Sequence, residues 1–114
     1  MRTCVRMPRP YRPLRELEGH LDRGELALAV ALARDISSEH ARPLALNLAV
    51  RFLPVVAVQL PDAYDGWALR WLARWSSETA GATIERAAEV AAALADLPTE
   101  PVESWESLRR AGNL

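Results

Sequence analysis

Leucine and alanine recur at intervals of three and four residues along most of the chain, and proline or glycine separates one run from the next. Residues three and four apart share one face of an α-helix, whereas a half-buried strand needs strict alternation. Alanine and leucine are also strong helix formers with little β-branching. The pattern therefore predicts an all-α protein of amphipathic helices, without significant sheet.

The breaks in this pattern divide the chain into five or six predicted helices. We place them at residues 14–23, 25–40, 44–60, 61–77, 84–97 and from 102 onward. Pro54 lacks an amide hydrogen and crowds the carbonyl four residues before it, so the third helix must kink or end there. Gly24 suits a helix C-terminus, and Thr83 is a candidate N-cap. Short connections favour a compact bundle of stacked antiparallel helical hairpins.

The fifth predicted helix is rich in alanine, and a short last helix follows it. In the fifth, one apolar face is expected to comprise Ile84, Ala87, Ala88, Ala91, Leu94 and Ala95. Pro98 and Pro101 break that helix. A short last helix is predicted after them, because acidic residues near its start and arginines near its end suit the helix dipole.

The chain is predicted to consist of an N-terminal arm, residues 1–12, and one helical domain, residues 13–111. Its length of 114 residues suits a single domain, and half of the residues are apolar while a quarter are charged, which is ordinary for a globular protein. The arm is rich in proline and arginine, which favours a disordered or extended backbone.

The residue types of catalysis and metal binding are present only as isolated side chains. His20 and His40 lie near the ends of different predicted helices, and neither has a second ligand at a metal-binding spacing. Cys4 has no scaffold that would hold a base beside it. Asp62 and Asp65 lie where acids offset a helix dipole. We therefore expect no cofactor, no metal and no enzymatic activity.

The longest apolar segment, residues 43–60, is expected to be a core helix rather than a membrane span. Asn47, Arg51, Pro54 and Gln59 interrupt it, and arginine is costly at the centre of a bilayer. Asn47 and Arg51 would share a narrow face, as part of a core ion pair or of a solvent-facing stripe. The single cysteine, Cys4, cannot form an internal disulfide, which favours the cytoplasm.

The N-terminal arginines are one of two candidate binding features. The first fifteen residues carry five arginines and no acid, although the net charge of the chain is −1. These arginines could neutralise phosphates of a nucleic acid. The chain contains no lysine, so a bias in codon composition explains the arginines equally well. The residues concerned are Arg2, Arg6, Arg9, Arg12 and Arg15.

The second candidate is an aromatic stripe on the fourth predicted helix. Tyr64, Trp67, Trp71 and Trp75 fall within about an 80° arc at about 100° per residue. Arginines flank the rings and are placed for cation-π contacts. Such stripes pack in cores, but tryptophan, tyrosine and arginine are also enriched at binding hot spots.

We predict that Trp71 is core and Trp67 the better interface candidate. The predicted partner-binding residues are Tyr64, Trp67, Arg70 and Arg74.

These features rank three functions. A non-catalytic protein-interaction or regulatory module comes first, with another protein or a second copy of the chain, in a homodimer, as its partner. A nucleic-acid-binding protein that uses the arm is the alternative. An enzyme whose site a single sequence does not reveal comes third.

Overall fold

The computed structural model describes residues 13–114. The arm, residues 1–12, lies outside them with Cys4 and four of the five candidate nucleic-acid-binding arginines; the fifth, Arg15, is described. The described residues form six α-helices of eight residues or more, one four-residue helix and one 3-10 helix, with no strand, which confirms the all-α prediction. In chain order they are α1 (Pro13–Asp22), α2 (Leu26–His40), α3 (Leu46–Ala49), α4 (Phe52–Gln59), the 3-10 helix (Pro61–Ala63), α5 (Tyr64–Glu78), α6 (Ile84–Asp96) and α7 (Pro101–Gly112).

The chain divides into two compact units, of which the first ends at Arg42 and the second runs from Pro43 to Leu114. The described part of the first unit is a hairpin of α1 packed against α2. Its buried apolar side chains are Leu17, Leu21, Leu26, Ala29 and Ile36. The prediction of one helical domain over residues 13–111 stays a prediction.

Three helices end in the same hydrogen-bonded motif, with a residue in the left-handed conformation just past the helix. Gly24 follows α1 with φ 73°, Ala41 follows α2 with φ 54°, and Asn113 follows α7 with φ 58°. At each end two amide groups donate back to carbonyls of the last turn, as in the Schellman motif. The role predicted for Gly24 is confirmed, whereas an alanine in this conformation carries a steric cost.

The break in the predicted third helix comes earlier than expected. Instead of kinking at Pro54, the chain ends α3 at Ala49 and restarts as α4 at Phe52. Pro54 then lies in the first turn of α4, where no backbone donor is needed within the helix. Asn47 and Arg51 consequently do not share one continuous helix: Asn47 is exposed in α3, and Arg51 is half-buried in the connecting turn.

In the second unit, α5 packs against α3, α4 and α6, and α6 packs against α7. The hydroxyl of Thr83 accepts a hydrogen bond from the Arg86 amide at 3.1 Å, which confirms the predicted N-cap of α6. The apolar face predicted for α6 is displaced around the helix. Of the predicted face, Leu94 is buried as expected but Ile84 is 90% exposed, and the other buried positions are Val90, Ala93 and, just past the helix, Leu97.

Candidate functional site

Tyr64 and Trp71 of the aromatic stripe are core residues. Each is 4% exposed, which confirms the prediction for Trp71. The Tyr64 hydroxyl donates to the Leu94 carbonyl of α6 at 2.6 Å, and Trp71 Nε1 donates to the Leu46 carbonyl of α3 at 3.1 Å. Their polar atoms are therefore satisfied inside the second unit, on two sides of α5.

Burial raises the pKa of the Tyr64 phenol to about 12, and the neighbouring Asp65 carboxylate adds to the rise. The phenol is thus held in its neutral form, in which it can donate to a carbonyl. Tyr64 was predicted to contact a partner. Because the residue is buried, little of its ring is accessible to another molecule.

Trp75 is fully buried and ties α5 to the C-terminal end of α7. Its Nε1 donates to the Gly112 carbonyl at 3.1 Å. The Arg86 guanidinium lies 6.0 Å from the centre of the Trp75 ring and donates to the Ala111 carbonyl through Nε and Nη2, at 3.2 and 2.7 Å. The last carbonyls of a helix have no partner within it, so these side chains supply what the backbone of α7 lacks. The spacing of aromatic residues in the sequence did not indicate this role for Arg86.

Arg74 is also held by hydrogen bonds within the second unit. Its Nη2 donates to the Leu44 carbonyl at 2.7 Å, and its Nε donates to Glu78 at 2.9 Å along one face of α5. Hydrogen bonding from Arg74 holds the pKa of Glu78 below its ordinary value. Arg74 does not lie over a tryptophan ring as predicted, because it is engaged by the segment before α3.

Trp67 differs from the other aromatic residues of α5. It is only partly buried, and its ring stacks on Phe52 of α4, with centroids 5.9 Å apart and planes 22° from parallel. The Arg70 guanidinium lies 5.8 Å from the centre of the Trp67 ring, which confirms the cation-π contact predicted for this arginine. We call Trp67 and Arg70, with Phe52 beneath them, the Trp67–Arg70 surface.

Two polar groups of this surface make no hydrogen bond or ion pair in the part of the chain that the structure describes. The indole N–H of Trp67 has no hydrogen-bond acceptor, and the exposed guanidinium of Arg70 has no carboxylate. The remaining aromatic residues of α5 all have acceptors for their donors. Within the stripe, the side-chain donor without an acceptor among residues 13–114 is therefore that of Trp67.

The other sequence candidates occupy separate places. Nδ1 of His20 donates to Glu25 Oε1 at 2.7 Å, and Arg23 Nε donates to the same oxygen at 3.0 Å. The hydrogen bond from His20 is the largest cause of a lowered pKa at Glu25, with Arg23 as a further one. These hydrogen bonds stabilise the turn between α1 and α2. His40 is exposed at the end of α2.

The described residues also include an open cleft but no metal-ligand cluster. Residues 13–114 contain no group of three or more His, Cys, Asp or Glu side chains that could hold a metal ion. An open cleft of about 310 Å³ lies in the second unit, with no charged side chain in its lining. Its lining residues are Leu46, Asn47, Trp75, Thr79, Gly112, Asn113 and Leu114.

Among residues 13–114, no helix combines the length and the apolar character that crossing a membrane requires. Comparisons with protein-family models, with curated proteins and with solved structures found no match to this chain.

Proposed function

We propose that this chain is a non-catalytic protein-interaction or regulatory module and that the Trp67–Arg70 surface is where it binds. One observation carries the proposal: Trp67 is the aromatic residue of α5 whose ring is partly exposed and whose indole N–H has no acceptor within residues 13–114. A partner that covers the ring and accepts this hydrogen bond would remove apolar area from water and satisfy the donor together.

The surroundings of Trp67 favour binding in a further way. Its ring stacks on Phe52, with centroids 5.9 Å apart, and the Arg70 guanidinium lies 5.8 Å from the ring centre. A side chain that is already fixed loses little rotamer freedom when a partner binds, and this lowers the entropic cost of association. Rigid tryptophan with a neighbouring arginine is the composition typical of binding hot spots.

The proposal is tested by selecting peptides from a random display library on the full-length protein and on two variants. Trp67→Ala removes the ring from the proposed surface. Leu69→Ala is the matched control, because Leu69 is 64% exposed on the same helix but points away from Trp67 by about 160°. Peptides enriched on the wild-type protein and on Leu69→Ala, but not on Trp67→Ala, would support the proposal. Enrichment that is indifferent to Trp67, or no enrichment, would refute it.

The second candidate function, nucleic-acid binding, has its support in the sequence of the arm. Five arginines and no acid occur in the first fifteen residues, and Arg15 is exposed on α1. If the arm binds phosphates, affinity for a random duplex should fall steeply with added salt, and deleting residues 1–12 should abolish it. Fluorescence polarisation at low salt measures this directly, and no binding by the full-length chain would exclude this alternative.

A further inference from the structure

We infer that the partner of the Trp67–Arg70 surface is an acidic polypeptide segment, in which a carboxylate meets Arg70 beside an apolar side chain that covers Trp67. This inference rests on the proposed function and adds the chemistry of the partner. Its basis is the distribution of charge around Trp67, together with open space beside Arg70.

Arg70, the cation at Trp67, has no carboxylate partner among residues 13–114, although these residues as a whole are acidic, with ten arginines and fifteen acids. At about 100° per residue, Trp67, Arg70 and Arg74 lie within about 60° of one another on α5. Helix α4, which packs against α5 and supplies Phe52, contains no charged side chain.

The nearby acids do not neutralise this surface. Asp65 lies about 160° from Trp67 around α5, and Asp62 belongs to the 3-10 helix before α5. Glu78 is near the same edge as Arg74 and is bound by it. Arg70 therefore has no carboxylate partner among residues 13–114, and an approaching acidic segment would be attracted to it.

The geometry beside Arg70 leaves room for a carboxylate. Gly66 lies one helical turn before Arg70 and is exposed, and a Cβ atom placed on it would meet only Nη1 of Arg70, at 3.5 Å. No other side chain lies within 4 Å of that Cβ position. A carboxylate can consequently reach the guanidinium while an adjacent apolar group lies over the Trp67 ring, where the indole N–H can donate to a backbone carbonyl of the partner.

Gly66 also provides a test that leaves Trp67 and Arg70 in place. Gly66→Glu puts a carboxylate four residues before Arg70, the spacing at which an acid and a base pair along a helix. The introduced side chain would occupy Arg70 and repel an acidic partner. Gly66→Gln has nearly the same size without the charge, and Ala92→Glu adds the same charge at an exposed position of α6.

The experiment selects random peptides by display on the full-length wild-type protein and on these three variants. We expect enrichment of peptides with acidic residues next to a large apolar one on the wild type, Gly66→Gln and Ala92→Glu, and loss of that enrichment on Gly66→Glu. For one selected peptide, replacing its acids by glutamine should weaken binding about threefold to fivefold per ion pair, the upper range for exposed pairs.

Several results would overturn the inference, and they separate it from the proposed function. Peptides that require Trp67 but show no acidic bias, or that bind Gly66→Glu as well as Gly66→Gln, leave the proposed function standing and refute the acidic partner. Enrichment that does not depend on Trp67 refutes both. Trp67-dependent dimerisation in sedimentation, or Trp67-dependent binding of a nucleic acid, would assign the surface to another occupant and also refute the inference.

Discussion

Replacing Arg86 with methionine should destabilise the protein substantially, because Arg86 holds the end of α7. Its guanidinium donates twice to the Ala111 carbonyl, at 3.2 and 2.7 Å, and lies 6.0 Å from the Trp75 ring centre. Hydrogen bonds from a charged group contribute about 1.5–3 kcal/mol, and a cation-π contact adds about 0.5–1 kcal/mol. Since both donors share one acceptor, we expect Arg86→Met to lower the unfolding free energy by about 2–3 kcal/mol.

Urea denaturation followed by circular dichroism measures this loss. Arg109→Met is the matched control, because Arg109 is exposed on α7 and such substitutions change stability by less than about 0.5 kcal/mol. Arg86→Lys keeps the charge but lacks the planar fork, so it should fall between the wild type and methionine. Equal unfolding free energies for Arg86→Met and Arg109→Met would refute the role given to Arg86.

Three other substitutions have expected outcomes. Ala41→Gly should raise the unfolding free energy by up to about 1 kcal/mol, because φ is 54° at this position; an unchanged or lower denaturation midpoint would contradict the cost assigned to it. Gly66→Ala should stabilise α5 by about 0.5 kcal/mol in the same assay, since its Cβ meets only Arg70 at 3.5 Å, and a loss of stability would show that this space is not open. In the folded protein the pKa of Tyr64 is raised from 10.0 to about 12, so its contribution to stability is full below pH 10 and is lost as the pH rises toward 12. The urea denaturation midpoint should therefore fall over that pH range in the wild type and fall less in Tyr64→Phe. Parallel curves of midpoint against pH for the two proteins would refute this.

The helices were predictable because their signals are local. Apolar spacing, Gly24 and Thr83 each act within a few residues, and they placed the ends of α1 and α6 within one or two positions. The break between α3 and α4 was misplaced, because Pro54 permits a kink, an end or a place in the first turn, and only packing decides among these. Ala41 carried no signal of its left-handed conformation, since alanine is also the best helix former.

The tertiary contacts of the aromatic stripe were less predictable. Spacing alone indicated that Trp71 would be buried and that Trp67 would lie toward Arg70, and the structure agrees. Spacing could not show that Arg74 binds the Leu44 carbonyl or that Arg86 reaches Ala111, because these contacts join residues 30 and 25 positions apart. The buried face of α6 was predicted wrongly in part, because alanines occupy positions on most sides of that helix. The spacing of apolar residues therefore does not determine which side packs against the neighbouring helices.

The most direct test of the central claim compares Trp67→Ala with Trp71→Ala in one set of samples, with binding to a selected peptide and the unfolding free energy both measured. Trp71 is 4% exposed and bonded to Leu46, so its loss should cost about 3–5 kcal/mol. Trp67 is partly exposed, and losing its stacking on Phe52 should cost about 0.5–1.5 kcal/mol beyond the buried area. We predict that Trp67→Ala remains folded and no longer binds. Severe and equal destabilisation by both substitutions, or unimpaired peptide binding by folded Trp67→Ala, would contradict the account.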